Sequence, residues 1–407
     1  MPPDPARTEA AIPRSGLASV FLLFFVLGLS TAALGAALPS LREVYGLADQ
    51  EGGWLVSAYN LGALATILIC GLGSRRFGQR IALRTLLALF ACGSIAMGVA
   101  GTWAVFCVAT VLTGAGYGGL VLYLNSIVAR RSKEHGFVVL SLINAVFGVG
   151  AILGPLTVSA TGSHARAVFL VAGVLAPLGL SIGNLPQPPG PRVPSPKGTA
   201  FSTHRSLMLA FLALGFLYAG LETGIGAWEA THLDRIGHSA ATAARLASLF
   251  WAGLCLGRFL IPFLARGQAP HRIIRLSLIA ATGSLLAAAH PAAAPIAYAM
   301  CGFFLAPVLP AILNWIAQTV DDNQSANALL FTATMTGSVV LPTLIDTVAR
   351  RSPAEAIPLS IACMAIAATA TAFLIPRVSA HGPSALGKAQ RDSPEGEPPE
   401  TVSRLQQ

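Results

Sequence analysis

Long apolar stretches alternate along the chain with short joins rich in glycine, proline and charge. The repeat length matches the thickness of a bilayer. A helix needs about 18–25 predominantly apolar residues to cross a roughly 30 Å hydrocarbon core. Twelve runs of that length occur, at roughly 16–38, 52–72, 81–100, 103–129, 137–160, 165–185, 206–230, 241–264, 272–289, 295–318, 325–345 and 354–376. Each predicts a helix, because lipid offers no partner to backbone N–H and C=O groups and only a helix or a closed barrel satisfies them internally. The first run follows Arg7 and Arg14 and ends near Ala36-Ala37-Leu38, which mimics a secretory leader. At about 23 residues it is long enough to span, and it reads as a retained first helix.

Composition agrees with that pattern. Of 407 residues, 54% are hydrophobic and 11% are charged, against about 25% charged in an ordinary soluble domain. The mean hydropathy is +0.68. So few charges cannot coat a water-exposed surface, so the chain reads as an all-α polytopic membrane protein in contact with the lipid bilayer. Its net charge of +9 does not point to nucleic acid, since the 26 basic residues are dispersed between the apolar runs. With both termini inside, 19 of them fall in inner segments and five (Arg42, Arg166, Arg235, Arg350, Arg351) in outer loops. That asymmetry predicts cytoplasmic termini in a cell (inner) membrane.

The six cysteines lie in apolar runs without a C-x-x-C pair, which excludes a disulfide framework. The eight histidines form no ligand cluster, so no metal and no cofactor are expected. Nothing resembles a P-loop, so ATP drive and an enzyme activity find no support.

Pro186, Pro188, Pro189, Pro191, Pro194 and Pro196 mark residues 186–205 as a linker. It divides an N-terminal six-helix bundle (1–185) from a C-terminal one (206–376), and residues 377–407 have the polar, charge-balanced composition of a disordered cytoplasmic tail. The halves echo one another. Aligning Gly62 with Gly253 places Arg75 on Arg266, and Pro155 of the fifth run corresponds to Pro342 of the eleventh. Parallel repeats of this kind are characteristic of transporters.

The join after the second run reads Gly71-Leu72-Gly73-Ser74-Arg75-Arg76-Phe77-Gly78-Gln79-Arg80. It is similar to the G-x-L-x-D-R-x-G-R-R motif of the major facilitator superfamily. Gly71, Arg76, Gly78 and Arg80 match, whereas Arg75 stands at the acidic position. The arginine with which that acid works has Thr110 in its place, so both members of the pair are missing together. The resemblance implies two pseudo-symmetric six-helix bundles, with helices 1, 4, 7 and 10 lining a central cavity. Within the superfamily, Tyr218-Ala219-Gly220-Leu221-Glu222-Thr223-Gly224 and Asn144-Ala145-Val146-Phe147-Gly148 resemble helices 7 and 5 of the branch holding fucose/proton symporters and sodium-dependent glucose transporter-like proteins.

Glu222 is the most informative residue. An ionisable group inside a span is costly, about 2.5–3.5 kcal/mol even on lenient scales, and so points to function. At 100° per residue, Tyr218 and Glu229 fall within about 40° of Glu222, while Gly220 and Gly224 lie near the opposite side. That predicts a polar stripe toward a cavity and a small-residue seam against a neighbouring helix. Glu229 is expected to be hydrated near the outer surface, and Trp228 to be an interface anchor. Arg258 counts to the inner half of the eighth span, about 15 Å in depth from Glu222 along straight helices. A direct ion pair is not expected, and Arg258 is assigned to the inner gate or to snorkelling. Asn144 and the family-implied cavity positions Asn125 and Asn314 complete the candidates for binding solute or coupling ion. Gly150-x-x-x-Gly154-Pro155 resembles an antiporter motif but lacks the glycines that follow it, and it reads more simply as a close-packed bend.

The sequence therefore predicts a monomeric secondary transporter that moves a small polar solute, such as a sugar, by alternating access coupled to a proton or sodium gradient. The alternatives are a proton-driven exporter of drugs or metabolites and, from another class, a membrane sensor or assembly factor that transports nothing.

Overall fold

A computed structural model describes residues 14–48, 52–73, 79–131, 136–179, 205–319 and 323–375. They form twelve helical spans in two pseudo-symmetric six-helix bundles. The first six are α1 (Arg14–Tyr45), α2 (Leu55–Gly73), α3 (Gln79–Val99), α4 (Trp103–Arg131), α5 (Gly136–Thr161) and α6 (Ala167–Leu175, tightening to 3₁₀ through Gly179). The second six are α7 (Arg205–Arg235), α8 (Ala240–Leu264), α9 (Pro270–Ala288), α10 (Ala294–Thr319, interrupted at Ala306-Pro307), α11 (Asn323–Ala349) and α12 (Ala356–Leu374).

α1 and α7 run furthest past the ends of their apolar segments. α1 continues through Pro39 to Tyr45, because Leu41 and Arg42 of its last turns are buried in the bundle. α7 continues to Arg235, past the expected end near residue 230. Gly237 then turns the chain at φ +105°, and Ser239 caps α8 by accepting from the Thr242 N–H.

The same helix pairings recur in both bundles: α1 with α5 and α7 with α11, α2 with α4 and α8 with α10, α3 with α6 and α9 with α12. Glycines allow the backbones to meet. A Cβ on Gly62 would stand 2.3 Å from the Val111 carbonyl oxygen of α4, and its repeat partner Gly253 would stand 2.0 Å from that of Ala299 in α10. Lipid gives helices no hydrophobic reason to associate, so close approach and dispersion carry the packing. Ile69, Leu264 and Ile296 point outward, as a lipid-facing surface requires.

Between the bundles, α1 packs on α7, α2 on α11 and α5 on α8. The end of the molecule where α1 gives way to α2 and α7 to α8 is here termed distal; the opposite end, where α8 leads to α9, is proximal. The distal end is tightly closed. A Cβ on Gly35 of α1 would sit 1.9 Å from the Gly226 oxygen of α7. One on Gly53 would meet Asp346 and Trp228 at 2.1 and 2.3 Å.

Candidate functional site

A cavity of about 240 Å³ lies between the bundles. Tyr218 and Glu222 reach it from α7 and Arg258 from α8, while Thr31, Tyr59 and Tyr117 face them from α1, α2 and α4. Thr334 and Ser338 of α11 add hydroxyls, and Ser338 pairs with Thr223 at 3.0 Å.

Tyr218 and Glu222 are one helical turn apart, and the Tyr218 hydroxyl donates to the Glu222 carboxylate. The Arg258 guanidinium lies 3.6 Å from the other carboxylate oxygen. The expected separation of Glu222 from Arg258 is thus overturned. Because α7 extends to Arg235, Glu222 sits about 20 Å from that end, and Arg258 about 27 Å from Ala240, the start of α8. A difference of about 7 Å is within reach of an extended arginine side chain. The pair keeps contact with the cavity, since the Glu222 and Arg258 side chains are 21% and 35% exposed. Tyr218 is buried, so its phenol holds the carboxylate in one orientation.

Two other expectations fail for the same reason. Glu229 is 1% exposed instead of hydrated, because the last turns of α7 are covered by packed helices. Trp228 is no interface anchor. It is buried between α7 and α11, and its indole N–H donates to the Pro342 carbonyl at 3.1 Å. The glycine seam does form: a Cβ on Gly220 or Gly224 would meet Leu341 or Ile345 of α11.

The remaining candidates divide. Asn125 and Asn144 line the proximal part of the cavity, Asn125 donating to the Val121 carbonyl of its own helix. Asn60 lines it as well. Asn314 does not; it is exposed on α10 and accepts from Gln318 at 3.2 Å. Gly71 falls in the last turn of α2 and Arg80 is exposed in the first turn of α3, whereas Arg76 and Gly78 lie outside the described residues. Thr110 donates to the Phe106 carbonyl of its own helix. Gly150 and Gly154 pack on the Phe25 and Leu29 carbonyls of α1, which accounts for both by close packing.

Sequence reasoning missed the N-terminal wall. The Thr31 and Tyr59 hydroxyls are 3.2 Å apart, and the Tyr59 and Tyr117 rings are 5.2 Å apart. The available signal was scarcity: the chain has six tyrosines, and Tyr59, Tyr117 and Tyr218 all face this cavity. Among the described residues, no group of three or more His, Cys, Asp or Glu side chains is arranged to hold a metal.

Comparison with known proteins places this geometry. A sequence model of the Major Facilitator Superfamily matches residues 20–342. An uncharacterized MFS-type transporter of Bacillus subtilis, YfiU, is 26% identical over 151 residues, 37% of this chain and 29% of that protein. The matched part thus spans less than a third of that relative's length. A bacterial homologue of the human lysosomal transporter Spinster, solved inward-facing and occupied, superposes with a TM-score of 0.72 at 16% identity, covering 88% of this chain and 96% of that one. The fucose:proton symporter FucP in its outward conformation superposes at 0.61 with 17% identity, covering 90% and 100%. The likeness to both solved structures is one of fold. With its twelve spans, its repeated pairings and a polar cavity between the halves, the chain belongs to the major facilitator superfamily of membrane transporters.

Proposed function

We propose that the protein is a secondary active transporter that moves a small polar solute, of the sugar class, by ion-coupled alternating access. The observation that carries this reading is the meeting of Tyr218, Glu222 and Arg258 in the cavity between the halves. Paired charges left inside a membrane and open to a cavity are costly unless they serve a solute or ion. Glu222 accepts from Tyr218 and faces Arg258, so it has oxygen lone pairs to offer a solute hydroxyl. Either a proton or a sodium ion on Glu222 weakens its hold on Arg258 and changes what the cavity presents. That is the link between ion and solute. The facing Tyr59 and Tyr117 supply flat apolar surface and hydroxyls suited to a polyhydroxylated ring.

Cavity size favours this over the drug-exporter reading. At about 240 Å³ the space falls below the ~300–1,000 Å³ of drug-sized sites. With both termini cytoplasmic, the sealed distal end faces outward and the cavity extends inward past Asn125 and Asn144. The halves, 1–185 and 206–376, then rock about this site in a cell (inner) membrane.

Uptake of a panel of radiolabelled monosaccharides into proteoliposomes tests the reading, with and without pH and sodium gradients. Wild type should accumulate at least one sugar under one gradient, and Glu222→Gln should lose that accumulation while still binding. Gradient-driven uptake unchanged in Glu222→Gln would remove Glu222 from the mechanism. No uptake of any sugar under either gradient would refute the solute class.

A further inference from the structure

The last two turns of α7 hold a second polar cluster, outside the cavity. Glu229 is 1% exposed, and neither of its carboxyl oxygens has a hydrogen-bond partner. One turn on, His232 is fully buried; its Nδ1 lies 3.1 Å from the Tyr298 hydroxyl of α10, and its Nε2 is unpartnered. Tyr298 and Cys301 of α10 both lie within the field of Glu229.

The charged groups around the cluster are otherwise engaged. Arg42 of α1 donates to Thr231 at 3.3 Å. On α11, Asp346 is held by Arg350 at 2.7 Å. Arg235 donates to the Ala349 carbonyl at 2.8 Å, Asp234 sits in the same last turn of α7, and Glu355, just before α12, reaches His232 electrostatically. Arg245, at the matching depth of α8, is exposed. Among the described residues, no basic group forms an ion pair with Glu229.

A carboxylate buried without partner or water is far costlier than the neutral acid. In the closed arrangement Glu229 therefore carries a proton. It stands about 10 Å beyond Glu222 on the same helical face, with Gly226 in the roof between them. That roof is sealed by Gly35 against Gly226 and by Trp251, which a Cβ on Gly226 would meet at 3.1 Å. Of these contacts, that of Gly35 with Gly226 joins opposite halves, whereas Trp251 belongs to the same half as Gly226. Opening of the distal end parts α1 from α7, and water then reaches Glu229.

We propose that Glu229, with His232 and Tyr298, is a proton-binding site separate from the solute cavity, loaded as the distal end closes and emptied once it opens. The step balances simply: as the seam closes and water leaves, the carboxylate takes one proton from hydronium, releasing a water molecule, and it returns that proton to water on opening. The tie to transport rests on the function proposed above; the protonation does not.

Infrared difference spectroscopy of the protein in lipid vesicles at pH 7, where a hydrated glutamic acid is ionised, reads this directly. Wild type should show the carbonyl stretch of a neutral, unhydrated carboxyl group. The band should vanish in Glu229→Gln, persist in Glu222→Gln and shift in Tyr298→Phe. It should weaken in Gly35→Ala, which wedges the distal seam. A band absent from wild type, or one lost in Glu222→Gln instead, overturns the assignment. A band unmoved in a folded Gly35→Ala overturns its link to closure, and loss of the band on replacing choline chloride with sodium chloride at fixed pH makes the ligand sodium instead of a proton. Should Glu229→Gln not fold, the Tyr298→Phe shift still decides the site. None of these outcomes depends on whether Glu222 couples transport.

Discussion

Gly35→Ala tests whether the distal seam is a state-specific contact. The added Cβ would lie 1.9 Å from the Gly226 oxygen and 2.9 Å from the Ala227 Cα, both backbone atoms that no rotamer change can move. Ordinary contact begins at 3.4 Å, so α1 and α7 must part by about 1.5 Å (3.4 less 1.9) at this point. Overpacking of this kind costs about 1–3 kcal/mol. The penalty falls only on the closed arrangement, because the two helices belong to opposite halves. It should therefore shift the closed-to-open ratio about 5- to 150-fold. Nitroxides at Glu43→Cys on α1 and Thr347→Cys on α11, both exposed positions, would report the change as a longer distance population by electron–electron resonance, in a background cleared of native cysteines. Gly101→Ala is the control, since a Cβ there meets nothing within 4 Å. Equal distance distributions for Gly35→Ala and wild type would refute the reasoning, as would an equal shift in Gly101→Ala.

Trp228→Phe removes the indole donor to Pro342 while retaining most of the ring, and should lower thermal stability in detergent by about 1 kcal/mol. Unchanged melting would mean that the bond contributes nothing to stability. Arg275→Lys should cost more, about 2–3 kcal/mol, because the guanidinium donates twice to the Ala372 carbonyl and once to that of Ile375, closing the last turn of α12 in a fork that an ammonium cannot copy. A lysine variant as stable as wild type would show that charge alone suffices. Arg258→Gln should abolish the same gradient-driven uptake as Glu222→Gln, and the double variant should lose no more than either single one; additive losses would deny that the two act as a pair.

What could be read from the chain tracks how local each feature is. The twelve spans follow from apolar run length alone, and the Gly220/Gly224 seam from helical periodicity. Both depend only on residues close in sequence, and both are found in the structure. The bounds of α1 and α7 were not legible. Their final turns are polar enough to look like loop, and they stay helical because neighbouring helices bury Arg42, Glu229 and His232.

The sequence by itself determined that this is a membrane protein of twelve helices in two related halves, and that a carboxylate stands inside the seventh. Hydrocarbon imposes a helix on any apolar run long enough to cross it, so the number and order of such runs can be read directly from the chain. Only the tertiary structure decided that Glu222 meets Arg258, that Tyr59 and Tyr117 face them, and that Glu229 is sealed away without a partner. Each of these depends on how far one helix extends past another, and a shift of a few residues, about 1.5 Å apiece, is enough to turn a separated charge into a pair.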